Sequence, residues 1–500
     1  MAQAEPNEKT PLDVAVVGGG MAGLFVAWRL LSEAPSARLA VFESTNRVGG
    51  RASTVCFPGE PGFGIDLGAM TLLPQHRLLR KLSAAMGVTM THPVVVTEAN
   101  RLHLRGRSLA YGEISRFAPR RLFAYRLSRR LQAKGPSRLL RKAAAEIVPG
   151  SETYGSDEWN AASGHIYRGR KLIDWFTWEA LSTVLEPDEM AFAEDAVGYS
   201  LLVHGPNAAE TFKLALGELS GGRSYLAPDG GFQPIARRIA ERIADRGGAV
   251  KTDHTVVSIA PSAQGLALSI AGEGGGLEVE ARKVVLALPA LPLQALVDRS
   301  RPFFGLRVDE DIGRAKPWPM LTLAVCYPDP WWERLGITGG HSVTDLPARQ
   351  IWHFARPAAG DGSVRRGVAV AYCDGPHIDY WKGLLPRLDP RAGFASLPRE
   401  HPALEAFHGQ MLEVCRPSGV QPKPIGGFAQ DWGAPAYGGA SHVWSRGIDI
   451  TTAAQSTRTL APNVHLCGEA WSNNHGWIEG ALESAEDLLQ QEFGLANWLA

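Results

Sequence analysis

An excess of charge of either sign is missing from this chain. Lys plus Arg and Asp plus Glu each number 51, so no summed field draws it to nucleic acid or to an acidic membrane, and any polyanion site must be local. Cysteine is sparse. Cys56, Cys326, Cys373, Cys415 and Cys467 lie far apart, with neither metal-ligand spacing nor a paired framework, which suits a reducing compartment and makes them small apolar residues. Long apolar runs are lacking as well: no stretch reaches the roughly 18 residues that a spanning helix needs, which argues against a membrane anchor. The opening MAQAEPNEKTP is polar and has no basic segment followed by an apolar one, so a signal peptide is not expected and the cytoplasm is the expected location. Internal repeats and low-complexity tracts do not stand out.

What is present is the balance of a globular protein. Hydrophobic residues make up 45% and charged residues 20% of 500. That length exceeds one ordinary core and predicts two or three units around a shared interior large enough to enclose a cofactor.

Leu12 to Val17 reads as a short buried strand, a glycine-rich turn follows, and Met21 to Leu31 has helical periodicity ending before Pro35. Arg38 to Phe42 is a second apolar strand closed by Glu43, which completes a βαβ unit and predicts a parallel, doubly wound sheet. From Pro74 to about Gly221 the pattern is helical and irregular, with amphipathic stretches at Leu78 to Met86 and Leu172 to Val184; a helical insertion is expected. Phe232 to Arg246 reads as a helix, and Ala249 to Ile259 and Lys283 to Leu288 as strands returning to the first sheet. Runs at Leu321 to Tyr327, Gln350 to Phe354 and Gly367 to Cys373 suggest a mostly antiparallel second sheet. A strand at Val464 to Cys467 and a helix from near Trp477 to about Phe493 close the chain. The expected division is therefore a first dinucleotide-binding segment at 10–73, a helical and partly substrate-side region at 74–224, a second dinucleotide segment at 225–300, a substrate domain at 301–449 and a C-terminal dinucleotide segment at 450–495.

Arg116 to Lys142 holds ten Arg and Lys and no acid. Leucines at 122, 127, 131, 139 and 140 give it an apolar side, so a solvated helix or an oligomer contact is favoured over a nucleic-acid site.

The loop VVGGGMAGL sets Gly18, Gly20 and Gly23 in G-x-G-x-x-G spacing between strand and helix. There glycine permits the turn, the approach of a pyrophosphate and close helix packing, and the phosphate meets the positive helix end. Glu43 follows at a strand end, where its carboxylate can accept from both ribose hydroxyls of an adenosine and would repel a 2′-phosphate, which disfavours NADP. Arg47-Val-Gly-Gly-Arg51 then offers two guanidinium groups around a second glycine turn, a cradle for a diphosphate that points to FAD rather than NAD. Either arginine taken alone could be a plain surface charge.

With these segments the chain resembles the FAD-dependent amine oxidases, and within them the L-amino-acid oxidases, including bacterial enzymes acting on tryptophan. The likeness runs through VVGGGMAG, E-x-x-x-R-x-G-G-R, IDLGAM at 65–70, VVLALP at 284–289, SVTDLPARQ at 342–350, DWGAPAYGGASHVW at 431–444 and CGEAWSNNHGWIEGALESA at 467–485. It implies an α/β fold with a Rossmann-like FAD domain and a mixed-sheet substrate domain. It also implies cofactor contacts at Met21, Ala22, Ser44, Gly50, Gly68, Ala69 and Met70, and adenine held near Val256. Gly468 and Glu469 are expected on the diphosphate and ribityl chain, and Gly476, Trp477 and Ile478 against the flavin ring, where a helix N-terminus can stabilise charge on the reduced flavin. Flavin oxidation of an amine needs a neutral nitrogen, an aimed Cα hydrogen and a dry cavity rather than a nucleophilic triad. Trp432, Tyr437 and Trp444 are candidates for an aromatic sandwich, each with plain core packing as the alternative, and Tyr372 matches a tyrosine that holds a substrate carboxylate.

Two departures stand out. Thr71 occupies the slot where the resemblance implies an arginine for the α-carboxylate, and Thr322 the slot of a lysine that assists reaction with oxygen. Arg77, Arg349 or Tyr372 are the candidates to compensate. His76, His442 and His475 have no metal spacing and read as structural, with His475 alternatively bordering the ring. The expected reaction is oxidative deamination of an L-amino acid or similar amine by O2, with ammonia and hydrogen peroxide released, by a homodimer on the resemblance. The alternatives are an amine dehydrogenase or biosynthetic tailoring oxidase or desaturase without carboxylate recognition, and a flavin-binding scaffold without catalysis.

Overall fold

The computed structural model describes residues 10–116, 122–219, 224–272, 275–301, 303–357, 365–386, 393–434 and 437–500. Leu12–Val17 forms the opening strand, with Ala15 and Val16 fully buried. Met21–Glu33 is the helix after the glycine turn, and Leu39–Phe42 the second strand. These strands pair in parallel, Val14 opposite Leu39 and Val17 opposite Phe42.

The sheet extends in parallel from Ala249–Lys251 through Leu39–Phe42, Leu12–Val17 and Gly275–Leu286 to Val464–Leu466. Three segments widely separated in sequence thus build one dinucleotide-binding sheet. The early part of the long strand Gly275–Leu286 also turns into an antiparallel meander with Gly265–Gly272 and His254–Ser262. The C-terminal helix Ile478–Phe493 packs on the opening helix, and the two are joined by the buried ion pair of Arg29 and Glu486 at 2.6 Å.

A second sheet of eight strands carries the substrate side. Its order is Ala395–Leu397, Gly426–Asp431, Met320–Tyr327, Arg365–Asp374, Gln350–Pro357, His341–Thr344, Arg101–Leu104 and Arg107–Ala110. Every pairing is antiparallel except that of His341–Thr344 with Arg101–Leu104. The strand Met320–Tyr327 is buried almost throughout, as a central strand covered on both faces must be.

The region expected to be helical also holds strands: Met90–Val95 pairs with Ser224–Pro228, and Ile166–Tyr167 with Arg170–Lys171. Arg101–Leu104 and Arg107–Ala110 form a hairpin that adds to the second sheet; Arg105 and Gly106 turn it at φ 49° and 74°, the left-handed pair that a tight hairpin requires. Leu172 to Val184 is not one helix. A single turn at Leu172–Asp174 precedes a short helix at Thr177–Leu181, because Thr177 N–H donates to Gly205 O and Ala208 N–H to Trp175 O: tertiary partners replace the helical ones. The helices Arg129–Lys134 and Pro136–Ile147 bury Leu139 and Leu140 against the helical core, while 117–121 of the basic stretch lie outside the described residues.

Candidate active site

Gly18 has φ 108°, a left-handed conformation that glycine adopts without strain. A Cβ on Gly23 would lie 2.1 Å from Gly18 O, whereas one on Gly20 would meet nothing within 4 Å. The loop therefore divides its work. Gly23 lets the helix close on the strand, and Gly20 leaves space above the helix N-terminus.

That space is a channel of about 210 Å³ whose wall includes Gly18, Gly20, Met21, Ala22, Glu43, Ser44, Arg47, Gly50 and Arg51, with Gly468 and Glu469 opposite. Glu43 Oε2 accepts from Gly19 N–H at 2.8 Å, and Oε1 from Thr45 N–H at 2.9 Å and Thr45 Oγ1 at 2.7 Å. The carboxylate is thereby fixed, with acceptor capacity left on Oε2. The Arg47 Nη1 is buried and has no hydrogen-bond partner among the described residues. Burial lowers its pKa, against the raising charge of Glu43. An orphaned cationic donor beside a helix N-terminus fits a diphosphate, and the fixed acid fits a ribose.

The channel meets a larger cavity of about 760 Å³. Gly68, Ala69, Met320, Tyr372, Ser441, Gly476, Trp477 and Ile478 line both. Met70 and Thr71 line the larger one only. Tyr372 reaches it from the strand Arg365–Asp374, with its hydroxyl 3.7 Å from Met320 Sδ. Burial pushes its pKa far above the usual phenol range, so the hydroxyl stays a proton donor.

Several expected residues lie elsewhere. Thr322 is wholly buried in register between Tyr372 and Gln430 and lines neither space. Trp444 is also fully buried outside both; it packs edge-on against His475 at 4.8 Å, so it supports the wall from behind. Trp432 and Tyr437 face the channel rather than the substrate cavity, and Pro435 and Ala436 of their motif lie outside the described residues. Val256 sits in the meander opposite Ile270, off the channel wall. Arg77 is exposed at the start of a helix. Arg349 is buried and donates to Thr344 O and Glu194 O. Neither arginine lines the cavity, so among the described residues the arginine missing at Thr71 is not replaced by one on another element.

Glu469 organises the junction. Its Oε2 meets Arg51 Nη1 at 2.6 Å and His442 Nδ1 at 2.9 Å, while Oε1 accepts from Gly476 N–H at 2.7 Å. Burial alone would raise its pKa, but Arg51 and His442 hold it well below the usual carboxylate range. His442 and His475 both border the cavity. His475 Nδ1 pairs with Glu210 at 2.5 Å, and although burial opposes it, Glu210 raises the imidazole pKa. His76 packs edge-on against Trp477 at 4.8 Å, and burial lowers its pKa to about 4.

Sequence reasoning missed Glu210, Lys213 and Glu218. Lys213–Glu218 is a π-helix, whose wider turn sets residues five apart on one face. Lys213 Nζ donates to Asn473 O and to Asn474 Oδ1 and stands 3.9 Å from Glu218 Oε1. Glu218 Oε2 accepts from Trp477 Nε1 at 3.1 Å, and burial raises its pKa to about 7. Nothing in the spacing of AAETFKLALGE marks these residues, since a π-turn has no signature of its own in the hydrophobic pattern. Among the described residues no group of three metal-ligating side chains occurs, and no helix is long and apolar enough to cross a membrane.

The comparisons with known proteins agree with this geometry. The chain is 25% identical over 506 residues to a flavin-dependent L-tryptophan oxidase of Lentzea aerocolonigenes, covering 94% of this chain and 96% of the relative. It is 25% identical to an L-amino-acid oxidase of Mus musculus, covering 95% and 69%. Putrescine oxidase bound to putrescine superposes with a TM-score of 0.69 at 17% identity, over 97% of this chain and 99% of that one, a likeness of fold. The family model described as flavin containing amine oxidoreductase matches residues 21–487. A channel lined by the glycine loop, Glu43 and two arginines that opens at Trp477 into a separate, partly aromatic cavity suits such a family, and the chain belongs to the flavin containing amine oxidoreductases, as an FAD-dependent enzyme.

Proposed function

We propose that this protein oxidises the CH–NH2 of a small primary amine or L-amino acid to the imine, which water converts to the oxo compound and ammonia. The observation that carries the reading is the shared wall at Met320, Tyr372, Ser441, Gly476 and Trp477, where the channel and the cavity become continuous. When bound, FAD supplies a two-electron acceptor at that junction.

The chain's own groups then bind, orient and exclude water. Trp318, Trp352 and Met320 line the cavity with apolar surface, which favours the neutral amine over its ammonium form. Tyr372 offers a hydroxyl proton to a substrate acceptor, such as a carboxylate. Glu469 fixes the Gly476 amide at the junction, and Arg47 and Arg51 provide cationic donors for the cofactor's phosphates.

Oxygen as final acceptor gives a balanced reaction: amine, O2 and water yield oxo compound, ammonia and H2O2. The second reading, a dehydrogenase or tailoring oxidase that passes the electrons elsewhere, rests on Thr322 in the slot where the resemblance implies an oxygen-assisting lysine. Anaerobic mixing with a panel of L-amino acids and primary amines tests the oxidation itself. Bleaching of the flavin absorption is expected for some members; a flavin that none of them reduces would leave only the non-catalytic scaffold. Peroxide release from the same pairs in air then separates oxidase from dehydrogenase.

A further inference from the structure

The basic stretch that the sequence shows, and that the reaction does not use, lies at the entrance to the substrate cavity. Gln132, Ala133, Lys134, Gly135, Pro136 and Ser137 form part of the cavity wall. Lys134 and Ser137 are exposed, so the cavity opens to solvent at this part of its wall. The two helices Arg129–Lys134 and Pro136–Ile147 meet here, at Gly135.

The entrance is strongly cationic. Arg130 and Arg138 are exposed beside Lys134, and no ion pair ties any of the three to a carboxylate among the described residues. Their mutual proximity is marked by the lowered pKa of Lys134, caused first by the charge of Arg130 and then by that of Arg138. No acid stands in the first turn of Pro136–Ile147, so the positive end of that helix adds to the same field. The carboxylates further inside are already occupied: Glu210 by His475 and Trp444 N–H, Glu218 by Lys213 and Trp477, and Asp374 by Ser200 N–H, Leu201 N–H and Trp318 Nε1.

We propose that Arg130, Lys134 and Arg138 form an anion-receiving site at the cavity mouth, and that the substrate is an amine bearing a carboxylate or phosphate several bonds from the reacting carbon. The inference rests on the amine-oxidation reading and deepens it by naming the substrate class. Thr71 leaves the inner cavity without an arginine for an α-carboxylate, while the mouth supplies three cations to a remote one. A cavity of about 760 Å³ accommodates such length, being in the upper part of the roughly 300–1,000 Å³ range of small-molecule sites. Fields of this kind raise encounter rates for ions of opposite charge and fade as salt screens them.

Anaerobic stopped-flow reduction of the holoenzyme flavin tests the proposal with three probes of equal chain length: an alkylamine, the ω-amino carboxylate and the phosphate monoester of the ω-amino alcohol. At low salt the anionic probes should reduce the flavin with second-order rate constants about tenfold or more above the alkylamine, a gap that narrows at high salt. The ratio of the two anionic probes tells carboxylate from phosphate. The Arg130→Gln, Lys134→Gln, Arg138→Gln triple variant should lose the gap through a fall in the rates of the anionic probes, while flavin content and melting temperature stay unchanged. Anionic probes no faster than the alkylamine, or a gap that survives in the triple variant, would overturn the proposal. If no probe reduces the flavin, the oxidation reading fails on its own. The mouth is then decided by titrating an amine-free alkyl phosphate against the flavin spectrum, where affinity equal in wild type and variant refutes it.

Discussion

Arg51 and Glu469, 418 residues apart in the chain, meet at 2.6 Å where the cofactor channel opens into the substrate cavity. The side chain of Glu469 is 5% exposed, and the same carboxylate holds His442 and the Gly476 amide. One charge therefore ties the second glycine turn, the strand Ser441–Trp444 and the start of the C-terminal helix together.

Removing the Glu469 charge leaves the partly buried Arg51 guanidinium without its carboxylate and gives His442 and the Gly476 N–H a weaker acceptor. Glu469→Gln is expected to destabilise the protein by about 3 kcal/mol and to weaken flavin retention. Thermal melting and the ratio of flavin to protein absorbance measure the two effects; a variant that melts and retains flavin like wild type would refute the role given to Glu469.

Gly20 and Gly23 should fail in different ways. The Cβ of Gly20→Val meets nothing within 4 Å and projects into the open channel, so folded but colourless protein is expected, with a circular dichroism spectrum like that of wild type. Gly23→Ala forces a Cβ to 2.1 Å from Gly18 O, so loss of soluble protein is expected. Yellow, fully loaded Gly20→Val would refute the placement of the diphosphate.

Thr71→Arg adds to the cavity the bidentate carboxylate partner that it lacks. About a tenfold fall in KM for α-amino acids is expected, with unsubstituted amines unaffected or worse. In wild type, Tyr372→Phe should raise KM for carboxylate-bearing substrates selectively. Equal effects on both substrate sets would show that neither position meets the carboxylate.

Glu218 has its pKa raised by burial to about 7, so the folded apoprotein prefers it protonated. Its contribution to stability is present below the ordinary carboxyl range near pH 4.5 and is lost as the pH rises through about 7. Glu218→Gln should therefore gain stability relative to wild type between pH 4.5 and 7, seen as a widening difference in melting temperature. A difference that is flat across that window would refute the shift.

The cofactor half of the site was legible in the sequence because its determinants are local. Gly18, Gly20, Gly23, Glu43, Arg47 and Arg51 lie within a few dozen residues, and each is required by the turn, the helix end or the charge beside it. The substrate half was not. Trp444 is in a segment that resembles the family and Thr322 in a slot where the resemblance implies a lysine, yet both are sealed from the cavity, because which face of a strand meets the cavity is set by its neighbours in the sheet. Lys213 and Glu218 enter it through a π-turn, which no hydrophobic period announces.

The sequence by itself determined a strand, glycine loop, helix and acid in an order that anchors an adenine dinucleotide, since backbone conformation and helix charge act over a few residues. Only the tertiary structure decided which side chains wall the reaction space. Burial, sheet register and ion pairs such as Arg51 with Glu469 bring together residues hundreds of positions apart.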